Sequence, residues 1–150
     1  MATTSVAFDA MAALVDALSA RSGLSGVKVD FAAPSSDDDA TEQVRLGTVV
    51  AGTQDPEVFS GGAARTARAE RFDLDVEVIV RSKRTTRDAV ERAFALAAEV
   101  EDEVASDPTL GGVDGLAWAT VSGLESEVGQ AGQLPRVVVT LTVSCRARLR

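Results

Sequence analysis

Nine consecutive residues limit more than any others how this chain can fold. From Phe72 to Val80, in Phe72-Asp73-Leu74-Asp75-Val76-Glu77-Val78-Ile79-Val80, every even position is apolar, while Asp73, Asp75 and Glu77 take odd ones. A period of two puts successive side chains on opposite faces of a strand, so this one has a greasy face and an acidic face. It extends back to near Arg65, because no breaker stands between Arg65 and Phe72. Arg81, Ser82, Lys83 and Arg84 end it. Thr85 then offers a helix N-cap with Asp88 three residues later, a start resembling a capping box. Val90, Ala93, Phe94, Ala97, Val100 and Val104 recur at helical spacing and mark one side of a helix reaching about Ala105. Strand and helix each carry a face that needs covering, and the sequence predicts that they cover each other.

The remaining segments supply more of the same two layers. Val6 to Ser22 reads as a helix with Phe8, Met11, Leu14, Val15 and Leu18 on one face, Ser5 as its cap and Gly23 as its stop. Val27, Val29 and Phe31 alternate in a short strand, and Val44 to Ala51 forms a second one diluted by Gly47. Pro34 to Thr41 is a polar, acidic loop. Gly52 to Thr66 is long and irregular, with the apolar pair Val58-Phe59 in its middle. Loops of about 15 residues without structure of their own are uncommon and often functional. The pair either tucks back onto the body or inserts into a neighbouring subunit. Asp107-Pro108-Thr109-Leu110-Gly111-Gly112 closes the central helix. Leu116 to Leu124 is a strand carrying Trp118, and Gly129, Gly132 and Pro135 fall in a polar connector. In the last strand, Val137, Val139, Leu141, Val143, Cys145, Ala147 and Leu149 share one face. Its other face carries Arg146, Arg148 and Arg150, expected to lie near Asp73, Asp75 and Glu77 in one sheet, where opposite charges attract. The fold class is α+β: a mostly antiparallel sheet, two helices packed on one face, and a closing C-terminal β-hairpin, in a single domain over 1–150.

Composition removes most chemistry. With no histidine, the usual general base and the commonest zinc ligand are missing. The lone Cys145 is in phase with the apolar face and reads as core. Gly111-Gly112-Val113-Asp114-Gly115 follows a helix and precedes a strand, the reverse of a phosphate cradle, and holds no Lys. Asp37-Asp38-Asp39 lacks the spaced ligands of a calcium loop. Trp118 reads as a core or edge residue. The expectation is a protein that is not an enzyme, with no catalytic residue, cofactor or metal. A net charge of −8 disfavours sequence-independent DNA binding. Met1 to Leu18 lacks the basic start of a signal peptide, and no apolar run approaches the ~20 residues that span a bilayer. A soluble protein without membrane contact is expected.

Three features together carry a resemblance: Arg71-Phe72-Asp73-Leu74-Asp75-Val76-Glu77-Val78, the helix after it, and the Asp107-to-Gly112 turn. With the N-terminal helix and the final hairpin, they resemble the tail-terminator (tail-completion) proteins of long-tailed bacteriophages, over nearly the whole chain. The resemblance implies a homo-oligomeric ring, usually of six subunits, seated on the last ring of tail-tube protein. Such a ring stops tube growth, meets the head-closure or connector protein, and lets phage DNA through its lumen without specific binding. It also implies a place in the virion, at the head-proximal end of the tail, after assembly in the host cytoplasm. Carboxylates suit such a lumen, because a basic one would grip phosphates where sliding is required. Asp37, Asp38, Asp39, Asp73, Asp75 and Glu77 are the channel-facing candidates. Ring contacts need two different patches per subunit, and Asp55, Glu57, Val58, Phe59 and Arg65 of the long loop are candidates for one of them. The alternatives are a head-closure or adaptor protein of the head–tail connector, or an unrelated small α+β domain that binds a ligand or protein.

Overall fold

The structure is a computed structural model that describes residues 4–31, 41–47, 50–56, 67–82 and 84–149. In chain order the elements are α1 (Ala7–Ala20), a short 3-10 turn (Ser22–Leu24), β1 (Lys28–Asp30), β2 (Glu42–Leu46), β3 (Ala51–Pro56) and β4 (Arg68–Arg81). Then follow α2 (Thr86–Ser106), β5 (Leu116–Ala131) and β6 (Leu134–Leu149). The strands form one sheet in the order β1-β2-β4-β6-β5, with β3 pairing the first half of β4. All pairings are antiparallel except β1 with β2. The α+β architecture expected from the sequence is present.

The alternation of β4 does what a period of two dictates. Phe72, Leu74, Val76, Val78 and Val80 are buried, and so is the matching row Val137, Val139, Leu141, Val143 and Cys145 of β6. Both helices lie over this face. α1 contributes Ala10, Leu14 and Leu18, and α2 contributes Ala89, Ala93, Leu96, Ala97, Val100 and Val104, all to one continuous core. Each fully buried Val or Leu stabilises by roughly 1.5–3 kcal/mol, so a one-residue slip of β6 against β4 is heavily penalised.

The helical faces are rotated from their expected positions. Leu96 and Ala89 point inward, whereas Phe94 is exposed. On α1, Phe8 is exposed and packs only tilted against the Phe31 ring, 5.9 Å away. Thr85 caps α2 as predicted, its Oγ1 accepting from the Asp88 N–H at 3.2 Å. Ser5 stands one residue before the α1 cap position and accepts from the Ala7 N–H at 3.0 Å. Gly23 is not a left-handed stop; it lies within the 3-10 turn, where the Glu99 carboxylate leaves no room for a Cβ. That carboxylate is fixed by Arg21, whose Nε reaches Glu99 and whose other nitrogen reaches Glu103, each at 2.7 Å. The two bonds tie the end of α1 to α2 and, Glu99 first, raise the Arg21 pKa above its ordinary value.

Three strand limits differ from the sequence reading. The second strand ends at Leu46, and Ala51–Pro56, expected as strand end and loop, is a strand of its own paired with Arg68–Asp73. It carries neither alternation nor a β-branched run, and neighbouring backbone fixes it. β5 continues past Leu124 to Ala131, so Gly129 lies in a strand and Pro135 in its partner, joined by a two-residue turn at Gly132 (φ 67°) and Gln133. No helix in the described residues is long and apolar enough to cross a membrane.

Candidate functional site

With the helices on one side, the other, open face of the sheet has no described element over it, though Ile79 and Gln43 on it are buried, and the odd residues of β4 run down its middle. Asp73 is exposed, and Asp75 and Glu77 are half-buried. Register explains what surrounds them: Asp73, Asp75 and Glu77 face Ser144, Thr142 and Thr140 of β6. Ser144 Oγ donates to Asp73 Oδ1 at 2.8 Å and Thr142 Oγ1 to Asp75 Oδ1 at 3.4 Å. Ser122 Oγ lies 2.6 Å from Ser144 Oγ and extends the row of hydroxyls onto β5. Glu77 instead accepts from Arg45 Nε of β2 at 2.7 Å. Hydroxyl donors satisfy a carboxylate without cancelling its charge, so Asp73 and Asp75 keep a negative stripe along this face.

The expected charge ladder between β4 and β6 therefore takes another form. The strands are neighbours, but antiparallel pairing sets Arg146 opposite Arg71 and Arg148 opposite Ala69. Arg150 lies outside the described residues. At the far end, Arg136 stands opposite Arg81. The open face is thus acidic in its centre and basic at both ends.

At the Arg71 end there is a hollow of about 480 Å³ bordered by Gly52, Thr53, Arg71, Asp73, Trp118 and Arg146. Trp118 sits on the outermost strand with its indole 5.2 Å from the Arg146 guanidinium, an attractive cation–π geometry. Of the core and edge placements that the sequence allows for Trp118, the edge is the one found, and register sets the arginine beside it. Cys145 turns to the core, where burial, aided by Asp73, pushes its thiol up to about 12. Among the described residues no three His, Cys, Asp or Glu side chains come together as a metal-binding group.

The structure brings Asp73, Asp75 and Glu77 together on one face. Asp55 is exposed on β3, opposite Ala69 at the basic end of the sheet, in a strand rather than in a loop. Glu57, Val58, Phe59, Arg65, Asp37, Asp38 and Asp39 lie outside the described residues. One conspicuous residue escaped the sequence reading. Glu70 is 3% exposed, on the helix side of β4. It accepts from Ser5 Oγ at 2.5 Å, from the Val6 N–H at 3.3 Å and from Gln54 Nε2 at 3.1 Å. It clamps the entrance of α1 to the sheet, and an acid at a helix N-terminus also complements the helix dipole. Extending the even positions back from Phe72 would have placed this charge inside.

No family model and no curated protein matches the sequence. Among solved structures, the fold is similar to that of a chain in the structure titled "Virion of native gene transfer agent (GTA) particle". The two share 18% sequence identity and superpose with a TM-score of 0.69 over 97% of this chain and 99% of that one. At that identity the likeness is one of fold, from end to end.

Proposed function

We propose that this chain is a structural protein of a phage-like virion, acting as a tail terminator without catalysis. The observation that carries the reading is the end-to-end match in fold to a chain of a gene transfer agent virion. In this reading copies form a ring on the last ring of tube protein, end its polymerisation, and offer their other side to the head-closure or connector protein. DNA passes through the lumen. The stripe of Asp73 and Asp75, held by neutral hydroxyls and still charged, suits a wall past which phosphates must slide. The arginines at either end of the open face suit contacts with acidic partners above and below it.

The test is to add the purified protein to self-assembling tail tubes encoded beside it and to measure tube lengths by electron microscopy. A terminator caps them, giving short tubes with one blunt, decorated end. Unchanged lengths with binding to the connector instead would mark a head-closure or adaptor protein, and binding to neither would overturn the virion reading.

A further inference from the structure

The two edges of the sheet are built differently and match each other. β5 pairs only with β6 among the described residues, and although the Ala119 N–H in its first half bonds the Pro108 carbonyl at 2.8 Å, no described residue outside β6 bonds its backbone from Gly123 to Ala131. Long bare edges invite another strand, and proteins usually blunt them with bulges, Pro or Lys. The irregularities of β5 fall between Leu116 and Trp118 and between Val121 and Gly123. From Gly123 to Ala131 the pairing is regular, without Pro or Lys. On the helix side of this outer half, Leu124 and Val128 are 52% and 53% exposed. At the opposite edge, β1 pairs only with β2 among the described residues, and Phe31 and Phe8 are 38% and 66% exposed on the same helix side.

Register puts these patches on one level. The row Leu124, Leu141, Val76, Leu46 crosses the sheet and ends one residue short of Phe31, since Asp30 pairs with Arg45. On the open face, the row Glu127, Val138, Ile79, Gln43, Lys28 has a carboxylate at one end and an ammonium at the other. Asp30 ends the Glu125 row, but Gln43 Nε2 at 2.5 Å and Lys28 at 3.8 Å already engage it. Strand directions agree as well: following the pairings across the sheet, β1 runs opposite to β5.

We infer that the outer half of β5 docks on the β1–α1 edge of a second copy of this chain, extending the sheet antiparallel from one copy to the next. Leu124 and Val128 then meet Phe8 and Phe31 on the helix side, and Glu127 meets Lys28 on the open face. The contact is head to tail, so it repeats around an axis rather than stopping at a pair. This deepens the ring reading by naming the surfaces that would close it.

The test is disulfide trapping between E127C and K28C, each made singly, mixed at high concentration under mild oxidation. A head-to-tail contact gives the mixed dimer of E127C with K28C several-fold over either homodimer, and L124D, with an unchanged melting profile, abolishes it. K28E weakens the contact and E127K in the partner restores it. A dominant E127C homodimer, no trapped dimer, or indifference to L124D overturns the inference. Native mass spectrometry separates this from the ring reading. Open chains carrying the mixed crosslink uphold the contact and count against a ring, whereas closed multimers without it do the reverse.

Discussion

Replacing Glu70 by Ala tests how the helical layer is anchored. The carboxylate is buried and takes three hydrogen bonds, from Ser5, Val6 and Gln54. Hydrogen bonds to a charged group are worth roughly 1.5–3 kcal/mol each. Ser5 and Gln54 are near the surface and regain water, which returns much of their share. The Val6 N–H is buried and does not, and the truncation also leaves a small cavity. The net loss is therefore about 3 kcal/mol, within the range for breaking a buried network. For a chain of this length it lowers the melting temperature by roughly 6–12 °C. E70Q keeps the shape but turns an amide N–H₂ toward Gln54 or Ser5, and costs about half as much. Urea unfolding of both variants, with S5A to complete a double-mutant cycle, measures these terms. The coupling between Ser5 and Glu70 should be about 1–2 kcal/mol. A loss below about 0.5 kcal/mol for E70A, the level of an ordinary surface substitution, would refute the clamp.

Other consequences are as concrete. Leu96→Ala should cost about 2–5 kcal/mol, and Phe94→Ala less than about 1 kcal/mol, by urea denaturation; the reverse order would put the sequence-derived face of α2 back in the core. Cys145 should resist a thiol reagent at pH 8 in the native protein and react at once in denaturant. Its thiol moves from an ordinary 9.0 up to about 12 on folding, so its contribution is intact below 9.0 and declines as pH rises toward 12. Asn, Asn and Gln in place of Asp73, Asp75 and Glu77 should leave the fold within about 1 kcal/mol of wild type. The same variant should lower DNA delivery by assembled particles; unchanged delivery would take these carboxylates off the channel.

What could be read beforehand followed the strength of periodicity. β4 and β6 bury one face across most of their length, so their alternation was plain, and with it the sheet, the helical layer and the gathering of Asp73, Asp75 and Glu77. Edge strands leave no such trace. β3 and the outer half of β5 are exposed on both faces, and nothing in Ala51-Gly52-Thr53-Gln54 or Glu125-Ser126-Glu127-Val128 selects one. They are strands because a paired neighbour offers them hydrogen bonds. Alanine-rich helices mislead in another way. When Ala89, Ala93 and Ala97 let α2 sit close to the sheet, the packed stripe centres on small residues, and the bulky Phe94 is left at its rim. Register was the remaining ambiguity: adjacency of acidic and basic strands was readable, but the pairing of Asp73 with Ser144 and Asp75 with Thr142 decided that hydroxyls, and not guanidinium groups, would face them.

The most direct measurement is a cryo-EM reconstruction of the head–tail joint in particles that contain this protein. The expected density is a single ring of copies around the DNA path, on the last layer of tube protein, with neighbouring sheets joined edge to edge. Copies found at the capsid surface, at the host-facing tip, or without a common axis would contradict it.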